Sequence, residues 1–269
     1  MAERLTVAQE VAGSIPVAHP KFHAWLASLE ERHFADLTFS EVTRAVRALS
    51  SAYVERRTTA LAEHRALDGA GKRAAFALYY GPLHFLLTQA ILREVAPQLK
   101  PGLVVDLGCG TGVAGAAIAS ATTPPSRVLA LDTHPWTLDE ARFTYRAFGL
   151  DADVRRGHAS RIRFPRDASC IVAAFVVNEL NDPDRRALLA TLKEAAARGV
   201  ALLLVEPISQ RISPWWAEWV TAFEPLGGRS DEWHFRIAPP PIVKRLSKAT
   251  GLRPDTLTAR SLFVRGPKR

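Results

Sequence analysis

The chain has 269 residues, of which 48% are hydrophobic and 23% are charged. This composition is typical of a globular protein with one large domain, or one domain with a helical extension. Its two cysteines, Cys109 and Cys170, are too few for a zinc or iron–sulfur site with four cysteine ligands. No apolar run approaches the roughly 20 residues that cross a membrane, and no signal peptide is indicated. We therefore expect a cytoplasmic protein that needs neither a membrane nor a metal.

The net formal charge is +8, and +6 of it lies in residues 208–269. Residues 101–207 are neutral by the same count. A local basic excess of this kind either meets the phosphates of a nucleic acid or only adds solubility. The sequence leaves both interpretations open.

The first hundred residues show helical periodicity. One apolar stripe consists of residues three and four apart, namely Phe22, Trp25, Leu26 and Leu29. Thr38 and Glu41 form a capping-box pattern at the start of a second helix. A third helix is predicted from about Lys72 to Val95, with Gly81-Pro82 expected to end or kink it. We expect residues 1–100 to form an N-terminal helical region.

Short apolar runs alternate with helical patterns in the rest of the chain, residues 101–269. Five strands are predicted, at 103–107, 127–132, 152–156, 170–176 and 200–205. Beyond Pro207 we expect a tryptophan-rich helix, a loop, a helix near 242–250 and then further strands. The alternation of strand and helix predicts an α/β fold with a mainly parallel sheet.

A glycine-rich turn follows the first predicted strand. The segment reads Asp106-Leu107-Gly108-Cys109-Gly110-Thr111-Gly112. A strand, a glycine turn and a helix N-terminus together let a ligand approach the backbone closely. The nicotinamide fingerprint needs its third glycine where this chain has Val113, so a dinucleotide is not indicated.

This acid-x-Gly-x-Gly-x-Gly segment resembles the first motif of class I S-adenosylmethionine-dependent methyltransferases. The resemblance implies a Rossmann-like fold with a mainly parallel seven-stranded sheet, and S-adenosyl-L-methionine as the cofactor. Asp132, which ends the second strand, matches that family's ribose-binding acid, although it could instead cap the helix that follows. The implied cofactor-binding set is Asp106, Gly108, Cys109, Gly110, Gly112, Asp132, Thr133, His134, Ala159 and Asn178.

A closer resemblance rests on three segments, which are Ala45–Tyr53, Asn178-Glu179-Leu180 and Val205-Glu206-Pro207. Together they resemble the methyltransferase-like family linked to small-ribosomal-subunit assembly in bacteria and mitochondria, over roughly residues 38–265. The resemblance implies a ribosomal RNA or small-subunit partner. Members of that family often hold an iron–sulfur cluster with a cysteine that precedes a His-Phe pair, but Trp233 stands there in this chain. We therefore expect no cluster, and a diverged branch with another substrate stays open.

Asn178 and Glu179 follow the fourth predicted strand, where open parallel sheets place their ligands. They are the candidate catalytic residues. Glu179 either accepts a proton or orients the methyl acceptor, or it only caps the next helix or binds a backbone amide. Cys170 lies inside a strand and is interpreted as core.

Three other groups have both a functional and a purely structural interpretation. Tyr79, Tyr80, His84 and Phe85 form a lid or acceptor wall, or they are core. Trp215, Trp216 and Trp219 stack on a ligand, or they pack on the sheet. A second basic run faces phosphate or only solvent, and consists of Arg155, Arg156, Arg161, Arg163 and Arg166. Three functions remain open: a ribosomal RNA methyltransferase, a small-molecule methyltransferase, and a non-catalytic cofactor-binding assembly factor.

Overall fold

A computed structural model of the chain describes residues 8–9, 20–55 and 67–265. Its strands are β1 (Ala8–Gln9), β2 (Leu103–Leu107), β3 (Arg127–Asp132), β4 (Ala152–Arg156), β5 (Cys170–Ala174), β6 (Ala201–Glu206), β7 (Gly228–Arg236) and β8 (Thr256–Val264). Its α-helices are α1 (Pro20–Phe34), α2 (Phe39–Glu55), α3 (Ala70–Ala75), α4 (Gly81–Val95), α5 (Val113–Ala119), α6 (Pro135–Ala147), α7 (Asp182–Ala197), α8 (Trp216–Phe223) and α9 (Pro241–Thr250).

One sheet runs through the molecule in the order β1-β7-β8-β6-β5-β2-β3-β4. Strands β2 to β6 pair in parallel, and β8 is antiparallel to both β6 and β7. The two-residue β1 adds to the outer edge of β7 in parallel. The mainly parallel seven-stranded sheet is therefore confirmed, with β1 as a short addition.

The first five predicted strands lie within a few residues of their expected bounds, because each is an apolar run between turns. The expectation of a loop between the tryptophan-rich helix and α9 is wrong, because β7 lies there. Its inward residues alternate as Trp233 and Phe235, both buried, between polar neighbours. That period of two is the signal of a half-buried strand.

A 26-residue helix, Ala70–Val95, crosses the sheet. Its middle turn, Phe76–Tyr80, is a π-helix that joins α3 to α4. Gly81 and Pro82 follow this turn directly, and a proline inside a helix lacks the N–H of one helical hydrogen bond. The expected break at Gly81-Pro82 is thus a change of helical pitch in a continuous helix. Among the described residues this helix alone has the length and apolar composition of a membrane span. Of its most apolar 18-residue stretch, 83% is buried inside the protein.

The helices that precede the sheet share its core. Thr38 and Glu41 form the expected capping box, with the Glu41 carboxylate accepting from the Thr38 backbone N–H at 2.8 Å. Helix α1 docks through an aromatic cluster of Phe22, Trp25, Phe85 and Phe148. These four rings are all buried, so the helical region and the sheet share one hydrophobic core. That packing holds the long helix in place over the sheet.

Candidate cofactor and acceptor site

The glycine turn between β2 and α5 has a backbone that side chains would disturb. Gly108, Gly110 and Gly112 all have positive φ, at 56°, 51° and 77°. A Cβ on Gly108 would lie 2.2 Å from a methyl carbon of Val176, far inside van der Waals contact. A Cβ on Gly110 would meet only the ring of Phe76, at 3.8 Å. The turn is therefore packed against Val176 at Gly108, whereas the space beside Gly110 is open to a ligand.

Asp106 holds this turn to the helices behind it. Its Oδ2 accepts from the backbone N–H of Gly115 and from the hydroxyl of Tyr145, each at 2.8 Å. Burial raises the pKa of this carboxyl to about 7, against the lowering effect of these two donors. A Cβ on Gly115 would lie 2.5 Å from Oδ2, so the close approach requires glycine. Asp106 thus fixes the end of β2 to α5 and α6 by hydrogen bonds.

Asp132, the last residue of β3, connects the turn after β2 to the turn after β3 by hydrogen bonds. Its Oδ2 accepts from the N–H of Gly110 and its Oδ1 from the N–H of His134, each at 2.9 Å. The carboxylate is partly exposed, and each oxygen has a further lone pair for a hydroxyl donor. Thr133 is exposed beside it. His134, not Asp132, is the N-cap of α6, where its Nδ1 accepts from the N–H of Trp136 at 3.2 Å.

Ala159 lies buried in a single 3₁₀ turn after β4. The turn is fixed by Ser160, whose hydroxyl is 2.8 Å from the Nδ1 of His158 and donates to Asp184 at 2.7 Å. This places Ala159 at the same sheet edge as the glycine turn and Asp132. The sequence-predicted cofactor residues are thus brought together along the carboxyl ends of β2, β3 and β4.

Asn178 and Glu179 lie in a 3₁₀ turn after β5, at that same edge. The Oδ1 of Asn178 is buried and accepts no hydrogen bond from the described residues. Glu179 is exposed at the rim. The interpretation of Glu179 as the cap of α7 is wrong, because Asn181 caps that helix by accepting from the N–H of Asp184 at 2.9 Å.

Glu206, at the end of β6, holds the Asn178 turn from below. Its Oε1 accepts from the N–H groups of Val177 at 2.8 Å and of Asn178 at 3.4 Å. The side chain is fully buried, and burial raises its pKa to about 8. The sequence showed Glu206 only as part of a motif, because a buried acid at a strand end has no distinct pattern of its own.

An aromatic wall stands above this edge of the sheet. It is formed by the partly exposed rings of Phe76, Tyr80, His84 and Phe175. The rings of His84 and Phe175 stack with centroids 4.3 Å apart and planes at 24°. Phe175 has φ of 61°, a conformation that costs a bulky residue energy and that clusters at functional sites. Tyr79 and Phe85, the other two aromatic residues considered from the sequence, are buried in the core.

The remaining candidates lie elsewhere. Trp215, Trp216 and Trp219 are buried on the sheet, so they are core. The five arginines at 155–166 are exposed, and Arg155 pairs with Asp153. Across residues 8–9, 20–55 and 67–265, no group of three or more potential metal ligands comes together.

The geometry fits S-adenosylmethionine in two respects. The space above Gly110 is bounded by an aromatic ring rather than by backbone, which suits a ligand that approaches the turn closely. The carboxylate of Asp132 is fixed by two backbone donors and keeps lone pairs for hydroxyl groups of a ribose.

Comparisons with known proteins agree with this geometry. Residues 104–199 match a family model described as a methyltransferase domain. A ribosomal RNA small subunit methyltransferase C from Pseudomonas fluorescens is 40% identical over 68 residues, which are 25% of this chain and 20% of that relative. The chain therefore spans about a fifth of the length of this curated relative.

Solved structures share the fold at low identity. A putative O-methyltransferase from Nostoc punctiforme has a TM-score of 0.53 and 17% identity, covering 84% of this chain and 69% of that one. The N-methyltransferase NodS from Bradyrhizobium japonicum, in complex with S-adenosyl-L-homocysteine, has a TM-score of 0.50 and 14% identity, covering 70% and 89%. At these identities, the two structures show that the fold is shared and nothing more.

Proposed function

We propose that this chain, whose residues 104–199 are a class I methyltransferase domain, uses S-adenosylmethionine to methylate ribosomal RNA of the small subunit. The observation that carries the donor half of the proposal is the bond from the Gly110 N–H to the Asp132 carboxylate. It joins the two acid-bearing strand ends around a turn with space for a ligand.

The residues of the glycine turn, Gly108 to Gly112, would hold the methionine part of the cofactor. Asp132 would accept from the ribose hydroxyls, and Thr133, His134 and Ala159 would surround the adenosine. Asp106 acts from behind, since its Oδ2 is committed to Gly115 and Tyr145. When bound, the cofactor would supply a methyl group on a positively charged sulfur, and the sulfur would be the leaving group of an in-line displacement at the methyl carbon.

The protein's task is then to position the acceptor, since alignment alone can supply much of the rate of a displacement. Asn178 offers an unpartnered oxygen at the edge where the acceptor would lie. Glu179 stands at the rim and would contact the part of the acceptor that lies outside. The aromatic wall suits a planar group, because bases stack well on aromatic side chains.

Ribosomal RNA as the acceptor is supported by exposed positive charge on α9, which packs against the π-helical turn. Ser247 of α9 contacts the π-helical turn through the hydroxyl of Tyr79, at 3.4 Å. The outer side of α9 exposes Lys244 and Lys248, and Arg47 of α2 donates to the Ala249 carbonyl of the same helix. Exposed cations of this kind bind phosphates irrespective of sequence. The name of the matched Pseudomonas relative points in the same direction.

The test is transfer of labelled methyl from S-adenosylmethionine in two parallel incubations. One contains purified small ribosomal subunits and the other a small-metabolite extract. Label in ribosomal RNA supports the proposal and gives a position to map. Label only in metabolites contradicts it, and no label despite cofactor binding favours a non-catalytic assembly factor.

A small-molecule acceptor is the second candidate, and the aromatic wall is the observation that favours it. Three of its four rings belong to one continuous helix, and the rings of Phe76, Tyr80 and Phe175 suit a flat apolar ligand as well as a base. The metabolite incubation tests this candidate directly.

A further inference from the structure

His84 is a histidine of the aromatic wall, on the acceptor side of the site. Its ring is partly exposed and contacts Phe175 at 4.3 Å and Tyr80 at 6.3 Å between centroids. Within the described part of the chain, its ring nitrogens form no hydrogen bond. A ring nitrogen that has no hydrogen-bond partner and lies near a site is available to a ligand.

The helix places His84 between the two halves of the site. Gly81 packs on the glycine turn, since a Cβ there would lie 3.5 Å from the hydroxyl of Thr111. His84 comes one helical turn later, about 4.5 Å further along the axis. Its partner Phe175 directly follows β5, and Asn178 comes three residues after that. The imidazole therefore contacts the residue that leads from β5 into the Asn178 turn, and it belongs to the helix that packs on the glycine turn.

We propose that His84 receives the proton that an aryl amino group of the acceptor loses when it is methylated. This rests on the proposed function, and it names the reacting group of the acceptor. The acceptor nitrogen forms a bond to the methyl carbon as the carbon–sulfur bond breaks, and the electron pair of that bond stays on sulfur. As positive charge develops on the nitrogen during this displacement, one of its hydrogens passes as a proton to a ring nitrogen of His84, so both transfers share one transition state.

Two features match an amino group in particular. An amino group has two N–H bonds, and this edge offers two unused acceptors, a ring nitrogen of His84 and the Oδ1 of Asn178. Burial also lowers the pKa of His84 to about 4, so the imidazole is neutral at physiological pH. A weak base of this kind suffices for a methylated aryl ammonium, which is a strong acid.

The stack on Phe175 is the structural role that must be separated from the chemical one. His84→Phe keeps an aromatic ring against Phe175 and removes both ring nitrogens. We expect kcat on the RNA that the wild type labels to fall about 100-fold, the usual size of a general-base contribution. The KM for that RNA and the affinity for S-adenosylmethionine should change little. His23→Phe is the matched control, because His23 is exposed on α1.

A second variant keeps the test valid if His84→Phe does not fold. His84→Gln keeps a hydrogen-bond acceptor without a basic nitrogen, and we expect it to lose kcat as His84→Phe does, again with little change in KM. Nitrogen-15 spectra of histidine-labelled protein, saturated with S-adenosylhomocysteine, should show a neutral ring for His84 at neutral pH. Wild-type kcat in His84→Phe, or a charged His84 ring in the spectra, would overturn the role of His84 alone. Failure of the wild-type chain to methylate any RNA would instead remove the proposed function and this inference with it.

Discussion

At the scale of single residues, Asp132 is the side chain on which the donor site depends most directly. Asp132→Ala removes a charged acceptor from the Gly110 and His134 N–H groups and from the ribose. Hydrogen bonds to a charged group are each worth about 1.5–3 kcal/mol, so we expect the affinity for S-adenosylmethionine to fall at least about tenfold. Calorimetry checks this, with the exposed Asp139→Ala as the control. Wild-type affinity in Asp132→Ala would take Asp132 out of the site.

Glu206 gives a prediction about pH. Its folded-state pKa of about 8 lies above the ordinary 4.5, so the folded protein holds a proton that the unfolded chain has lost across this interval. The contribution of Glu206 to stability is therefore greatest at low pH and is lost as pH rises through the interval. Glu206→Gln keeps an oxygen for the Val177 N–H and cannot ionise. We expect the free energy of unfolding of the variant, relative to that of the wild type, to increase from about pH 5 to pH 8. The increase should be on the order of a few kcal/mol.

Urea unfolding of both proteins at several pH values measures this difference. Glu218→Gln, at an exposed position of α8, is the control. A difference between Glu206→Gln and wild type that does not vary with pH would show that Glu206 is ionised in the folded protein.

At the scale of elements, α1 is attached to the methyltransferase domain by one buried carboxylate as well as by aromatic packing. Glu140 of α6 is fully buried, 3.1 Å from the Nε2 of His33 and 3.5 Å from the guanidinium of Arg32. Glu140→Ala leaves both of these groups of α1 without their partner. We expect faster hydrogen exchange of α1 amides, with amides of β2 and β5 unchanged, because weaker attachment of one helix promotes its local opening. Asp139→Ala, on the exposed side of α6, should leave α1 exchange as in the wild type.

Some elements could be predicted from sequence because their signal is local. The glycine turn and the strands β2 to β6 follow from short apolar runs and punctuating glycines. The π-helical turn at Phe76–Tyr80 has no such signal, since it depends on how the helix meets the glycine turn. The positive φ of Phe175 and the stack with His84 join residues 91 positions apart, which no local pattern records. The sequence therefore predicted the glycine turn and named Tyr80 and His84 as candidates for a wall, whereas the addition of Phe76 and Phe175 and the burial of Tyr79 and Phe85 needed the structure.

At the scale of the whole molecule, the excess of positive charge predicts how binding responds to salt. Lys244→Glu with Lys248→Glu reverses two exposed charges on α9. We expect affinity for small-subunit ribosomal RNA to fall at least about tenfold, and the slope of log affinity against log salt to become shallower by about 0.7 for each phosphate that the protein no longer neutralises. Filter binding at several salt concentrations measures both quantities.

The matched control is Arg163→Glu with Arg166→Glu. These arginines are exposed on the loop that leads back toward the start of β5, away from the carboxyl ends of the strands. Equal reductions in affinity in the two double variants would mean that RNA responds to total charge and not to the α9 surface.

The contact of Ser247 with Tyr79 has a consequence for the order in which the site is completed during synthesis. All the residues assigned to the donor, and the strands β2 to β6 that carry them, have been made once the ribosome has passed Glu206. The π-helical turn gains its support from α9 only after another forty residues or so have emerged. A nascent chain thus contains every residue assigned to the donor before it contains Ser247, the residue of α9 that contacts Tyr79.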